Sequence, residues 1–402
     1  MKLLVRARHL PTILRSLWKR PGGKQNQDNS FLQFPPELIC LVGEFLTPAQ
    51  LALFSQTCRS LRATLGRRSN AAHLSRTEYF EYLAVRARGL PEQWVCERCM
   101  ALHPIVKLDA PATRHDFSSC PLALFTTSRD GHLYRRSRGD SRLGYSQFRI
   151  DHHHVQLALK YTRLQHHKYN SYLQALMAPH HDMRFGPRAA ILHRAAIPCK
   201  LHYSAYPKVV AGDDGNLRFL LLSTWRYHKG REDISLRNIG YQRICPHLEL
   251  NDCTVPCLHG DPSHVLETAV EEALEARGDG RERIGACPRC ATDFSVQLTS
   301  EYLNLHVWQD FGPEGSPVDL AWKSQSSAHG LDGVPNWRFA GPTLYHEPGT
   351  IRKLYGPEVP DEAVKPRNKP SVPVNYHPSS PTVAETSEML LAINLMVLTC
   401  HH

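Results

Sequence analysis

From Phe34 the apolar residues recur at helical spacing: Leu38, Leu41, Val42 and Phe45, then Leu51, Phe54, Cys58, Leu61 and Leu65. Thr47-Pro48-Ala49-Gln50 falls between the two sets and reads as a capping box with proline at the first helical position, so a second helix is expected to start there. A helix rich in Tyr and Leu is expected within residues 73–96, stopping at Gly89-Leu90-Pro91. Residues 151–178 keep a helical period through Val155, Leu159, Leu164, Tyr172 and Leu176. Near Ile197 the pattern changes. Residues 200–210 and 216–229 are rich in strand formers, and Gly212-Asp213-Asp214-Gly215-Asn216 carries turn chemistry, which predicts a β-hairpin. Residues 234–248 are expected to run as a strand into a cluster of Cys and His. Residues 265–280 read as an amphipathic helix ended by glycine. Residues 294–298 and 302–311 alternate as strands, with Leu303, Leu305 and Val307 on one face.

These elements predict an α+β protein in six segments. They are a basic disordered arm (1–30), a helical unit (31–76), a helix plus Cys/His knuckle segment (77–125) and a basic loop and helix (126–196). A β-rich domain with a second Cys/His site (197–350) and a Pro-rich tail with a short apolar helix (351–402) complete the chain. The tail assignment rests on seven prolines between residues 357 and 381. No apolar run approaches the roughly 20 residues of a membrane span.

The net charge of +10 is uneven. Residues 1–30 carry seven Lys/Arg and one Asp, and residues 129–149 carry six Arg and two Asp, which accounts for the whole excess. The N-terminal segment has some character of a mitochondrial presequence, but Pro11 and its scarcity of serine favour a plain basic arm. A basic arm and loop can meet RNA, acidic partners or anionic lipid; solvated segments are the plainer expectation, and nucleic acid is not favoured.

The chain has twelve cysteines and no secretory apolar core at its N-terminus, so metal binding is a better reading of paired Cys-x-x-Cys spacing than a disulfide framework. Cys96-x-x-Cys99 is a knuckle whose thiolates can face one ion. His103 and Cys120 would close a tetrahedral zinc site, with His115 competing for the fourth place. Cys245-x-His247 and Cys287-x-x-Cys290 are two further knuckles, arranged as in a zinc ribbon. The insert between them holds Cys253, Cys257 and His259, which either replace a ligand or bind nothing. Four protein ligands leave no open position, so both zinc ions would be structural.

The chain has 24 histidines. The pair His152 and His153, joined by Asp151 or Asp182, has the residue types of a transition-metal site, although a solvated polar face is the expectation for that run. No phosphate-binding G-x-x-x-x-G-K-[ST] loop and no G-x-S-x-G elbow occurs, and no Cys–His pair stands out as a nucleophile. The sequence gives no support for an enzyme.

The run from Phe34 to Arg62 resembles an F-box. The likeness is carried by Phe34-Pro35-Pro36-Glu37-Leu38-Ile39, Phe45-Leu46, Leu51 and Thr57-Cys58-Arg59-Ser60-Leu61-Arg62. Phe34 stands where leucine is usual, and Gly43 where an aliphatic residue is common. The chain beyond it is similar to filamentous-fungal F-box proteins with early Cys/His knuckles. That likeness is carried by Trp94-Val95-Cys96, Cys99, Leu102-His103-Pro104, Cys120-Pro121, Cys245-Pro246-His247, Cys287-x-x-Cys290 with Thr292-Asp293-Phe294, and Trp308-Gln309-Asp310-Phe311-Gly312. The resemblance implies a three-helix F-box, a zinc-knuckled middle and a β-rich C-terminal domain. It implies a non-catalytic adaptor that docks on the Skp linker subunit of a Skp–cullin–F-box ubiquitin ligase and captures an unknown protein for ubiquitin-dependent degradation. Residence in the cytoplasm, the nucleus or both follows. Pro35, Leu38, Ile39, Leu46 and Leu51 are the candidate Skp-facing residues, some of which must pack internally. Two alternatives stand beside it: an F-box scaffold outside the ligase, and a zinc-dependent nucleic-acid binder using Arg135, Arg136, Arg138 and Arg142.

Overall fold

The structure, a computed structural model, describes residues 30–66, 70–112, 120, 125–127, 133–135, 148, 150–185, 199–240, 242–250, 264–276, 279–326 and 343–357. The chain divides after Pro357, and the second unit, Glu358–His402, lies outside the described residues, as do the N-terminal arm and most of the basic loop. The described part mixes helices with antiparallel sheet, as expected for the α+β class. Among the described residues no helix is long and apolar enough to cross a membrane.

Three helices open the fold: α1 (Pro36–Glu44), α2 (Pro48–Gln56) and α3 (Arg59–Leu65). The capping box forms as its residues dictate. Thr47 Oγ1 accepts from the Gln50 N–H at 3.3 Å, and the Gln50 side chain accepts from the Thr47 N–H at 3.0 Å. Cys58 starts α3, its sulfur accepting from the Leu61 N–H at 3.5 Å. The core of this unit is small: Ile39, Leu61 and Leu65, lined by Phe31, Leu32, Leu51 and Phe54. Gly43 lies where α1 crosses it. A Cβ there would sit 3.1 Å from a Leu51 methyl and 3.3 Å from a Leu65 methyl, so the glycine permits close approach of the three helices. Ala49 and Ala52 of α2 pack instead against Phe80 and Leu83 of α4 (Arg76–Arg88), which ties the unit to the remainder of the fold.

A short hairpin follows, β1 (Gln93–Cys96) with β2 (Ala101–Pro104). The basic segment contains a second pair, β3 (Phe125–Thr127) with β4 (Leu133–Arg135), where only a loop was expected. Residues 151–178 form two helices rather than one, α5 (His152–Leu164) and α6 (Asn170–Leu176), because Gln165 takes a left-handed conformation (φ 50°) and ends the first.

The main sheet has six antiparallel strands in the order β10-β11-β12-β7-β6-β5. β5 is His180–Phe185, β6 Lys200–Ala211 and β7 Leu217–His228, the last two joined by the predicted turn. Instead of one strand, residues 234–248 hold α7 (Leu236–Ile239) and the two-residue strand β8 (Gln242–Arg243), which pairs with β9 (Glu249–Leu250). The Asn238 side chain accepts from the Ser235 N–H at 2.8 Å, and that local bond competes with extension. The helix α8 (Val265–Glu275) stops at Ala276, and β10 (Glu282–Ala286), β11 (Thr292–Leu298) and β12 (Tyr302–Pro313) complete the sheet. Leu303, Leu305 and Val307 are all fully buried on one face, as their alternation predicted. That face packs against α5, α8 and α9 (Leu320–Ser326). The opposite face carries Tyr206, Leu222 and Trp308 beneath α10 (Thr350–Tyr355), so residues expected to open the tail belong to the folded unit.

Candidate metal centres

The turn of the β1–β2 hairpin brings Cys96 and Cys99 together, and the Cys99 N–H donates to the Cys96 sulfur at 3.5 Å. His103 lies on β2 opposite Trp94, their rings stacked at 5.4 Å. The chain then returns to place the Cys120 sulfur 3.5 Å from that of Cys96 and 3.6 Å from that of Cys99. A disulfide would need about 2.05 Å, and none joins these cysteines. A four-coordinate ion with metal–sulfur bonds of about 2.3 Å holds its sulfurs about 3.8 Å apart, close to what is seen. His103 Nε2 is buried with no hydrogen-bond partner among the described residues, which suits a nitrogen whose lone pair serves a metal. The four ligand atoms lie within 4.8 Å of one another. His115, the competitor for the fourth place, lies outside the described residues.

Helix α5 fixes this hairpin from behind. Gln156 clamps the Val95 backbone, accepting from its N–H at 3.3 Å and donating to its C=O at 3.2 Å. One turn on, Lys160 donates to the carbonyls of Leu90 and Gln93, at 3.2 and 2.7 Å, and burial pushes its ammonium down to about 8.

The second cluster joins two turns. Cys245 and His247 lie in the turn between β8 and β9, which the Ile244 N–H closes by donating to the Leu248 carbonyl at 3.1 Å. Cys287 and Cys290 lie in the turn between β10 and β11. There the Arg289 N–H donates to the Cys287 sulfur at 3.4 Å and the Cys287 N–H to the Thr292 carbonyl at 2.8 Å. The Cys287 sulfur is 3.6 Å from His247 Nδ1, and all four ligand atoms again lie within 4.8 Å of one another. The three cysteines are buried. The insert residues Cys253, Cys257 and His259 lie outside the described residues.

Electrostatics point the same way at both clusters. The hydrogen bond with Cys120 pushes the Cys96 thiol up to about 11, and Cys120 and Cys96 together raise Cys99. At the second cluster burial raises Cys245 and Cys290, while hydrogen bonds with those two hold Cys287 low. Buried thiols packed this closely cannot all ionise unless a cation sits among them, and a divalent ion inverts that balance. Both Cys/His clusters therefore have the residues, spacing and chemistry to hold a metal ion. Each can offer four protein ligand atoms to one ion.

A third group, Asp109 with His153 and His154, is built differently. His154 Nδ1 accepts from the Asp151 N–H at 3.1 Å, so its proton is on Nε2, which donates to Asp109 Oδ1 at 3.2 Å. His153 Nε2 lies 3.0 Å from Asp109 Oδ2, and Tyr172 donates to the Asp109 carbonyl at 2.6 Å. Burial opposes ionisation of Asp109, but the two histidines outweigh it and hold the carboxyl well below the usual range. This is a hydrogen-bonded pin between the loop after β2 and helices α5 and α6. His152, His153 and His154 are buried, not a solvated face, and neither Asp151 nor Asp182 joins them as a ligand. Asp109 carried no signal in the sequence, since nothing in its neighbourhood announces a partner 44 residues away.

Of the residues expected to face a partner, Pro35 and Leu38 are exposed, Leu46 and Leu51 are half-buried, and Ile39 is 2% exposed inside the helical unit. The exposed apolar residues of α1 and its two ends are Phe34, Leu38, Leu41, Val42 and Phe45, the last at 84% exposure. The chain matches no protein-family model, no curated protein and no solved structure.

Proposed function

We propose that the chain is an F-box substrate adaptor of a Skp–cullin–F-box ubiquitin ligase, acting in the cytoplasm, the nucleus or both. The observation that carries this reading is the apolar face of α1. Five large side chains, from Phe34 to Phe45, face solvent on a unit whose own core has only three buried apolar residues. Such a face is unfavourable on a free surface and is stabilised when a partner covers it, at about 25 cal/mol for each Å² of apolar area buried. The Skp linker subunit is that partner. The β-rich region captures the target protein, and the adaptor needs no catalytic residue, because raising the local concentration of target is sufficient.

The ions held by the two clusters are zinc. Thiolate and imidazole ligands in closed sets of four suit it, and its role is to fold turns that bury little apolar surface of their own. Copurification of the chain with the Skp subunit tests the adaptor reading. Leu38→Asp and Phe45→Asp should each abolish recovery of the complex while leaving the thermal melt of the chain unchanged. Undiminished recovery with both variants would rule this face out as the docking surface.

A further inference from the structure

Helix α9 reaches residues beside both Cys/His clusters through polar side chains, while its Trp322 packs into the core the clusters share. On one side Lys323 pairs with Glu97, which stands between the ligands Cys96 and Cys99. On the other, Gln325 is 3% exposed and grips the chain next to Cys290. Its Nε2 donates to the Ala291 carbonyl at 2.8 Å and to Thr292 Oγ1 at 3.0 Å, and its Oε1 accepts from Gln309 at 3.0 Å. The Thr292 hydroxyl in turn lies 3.2 Å from the Cys290 sulfur. Between these contacts the Trp322 ring packs on His152 at 5.0 Å. His152 is bonded to Gln156, the residue that clamps Val95 beside Cys96.

We infer that α9 couples the two metal centres, so that each ion, once bound, tightens the hold on the other. The inference rests on the reading of both clusters as zinc sites. A helix of seven residues is marginal alone, so α9 holds its form only through the contacts that dock it. An ion at the first cluster orders the turn that presents Glu97 to Lys323. An ion at the second orders the turn that presents Thr292 to Gln325, and the Gln325–Thr292–Cys290 chain supplies a hydrogen bond to the bound thiolate. Both ions thus favour the docked helix, and linkage makes their effects on each other equal in size. A coupling on the order of ten-fold is expected, within the usual range for such devices.

The test is release of zinc from the full chain by a graded chelator, read with a metal-sensitive dye, alongside elemental analysis. Cys96→Ser leaves only the second site and Cys290→Ser only the first. Each single-site chain should lose its ion at about ten-fold lower chelator than the wild type, by the same factor in both directions. Lys323→Met keeps all eight ligands, and so serves where a ligand variant fails to fold. It should hold two zinc ions and release them as readily as the single-site chains. Release at wild-type chelator concentrations by Lys323→Met, or by both single-site chains, overturns the coupling while leaving the zinc sites standing. A wild-type chain without zinc overturns the zinc reading, and the coupling with it.

Discussion

The Asp293 carboxylate on β11 accepts the backbone N–H of Ile351 at 2.8 Å, across 58 residues of chain. It also accepts from the N–H groups of Gly349 and Arg352, both at 3.0 Å, and lies 3.0 Å from His346 Nε2. One fully buried carboxylate thereby supplies the N-terminal cap that α10 lacks in its own sequence.

Burial opposes the charge on Asp293, but these hydrogen bonds outweigh it and hold the carboxyl below its ordinary value of 3.8. A group depressed on folding contributes stability that is complete above the unfolded value and is lost as pH falls through the folded one. Asp293→Asn should therefore cost about 2 kcal/mol at neutral pH, the scale of hydrogen bonds to a charged group. In acid unfolding curves the gap between variant and wild type should close progressively below the ordinary value of 3.8. A gap that widens on acidification would refute the capping account.

At the second metal cluster, Cys245→Ser or Cys287→Ser should remove one zinc per chain and destabilise the end of the sheet where β10 meets β11. Each kcal/mol lost should lower the melting temperature by about 1–2 °C in a unit of this length. Elemental analysis and a thermal melt on one sample check both halves, and unchanged metal content would eliminate the site.

Asp109→Asn separates a hydrogen-bonded pin from a third metal site. The substitution should cost about 3 kcal/mol, as expected when one partner of a buried charged network is removed, with both zinc ions retained. Loss of an ion on that change would show that the Asp109 group binds metal.

Gly43 sets two magnitudes against each other. Alanine would gain about 1 kcal/mol of helix propensity, and forcing extra carbons into a packed contact costs about 1–3 kcal/mol. Two methyl groups already lie 3.1 and 3.3 Å from the Cβ position, so crowding should win clearly for Gly43→Val. A destabilisation of about 2 kcal/mol is expected in a urea titration, partly rescued by Leu51→Ala. A stabilised Gly43→Val chain would contradict the close helix crossing.

Much of this was readable where the signal is local. The Thr47/Gln50 capping box, the Leu303–Leu305–Val307 alternation and the Cys/His knuckles of the two candidate metal groups all depend on residues whose spacing carries the chemistry. What was hidden is non-local. The histidine run is polar by composition and buried because Asp109 and Gln156 meet it from far along the chain. Residues 234–248 look extended until the Ser235–Asn238 bond is seen to close a helical turn. Lys323 and Gln325 carried no signal in the sequence, and only the fold shows each reaching a different Cys/His cluster. The exposed set on α1 also differs from the motif-based one, because Ile39 serves the internal core while Phe34, Leu41, Val42 and Phe45 join Leu38 outside.

The most direct measurement of the whole account is native mass spectrometry of the chain coexpressed with the Skp linker subunit. The account predicts a single complex with one copy of each chain and two zinc ions, whose interface Phe45→Asp dissolves without releasing zinc. The chain recovered alone, whatever its metal content, would contradict its assignment as a ligase adaptor.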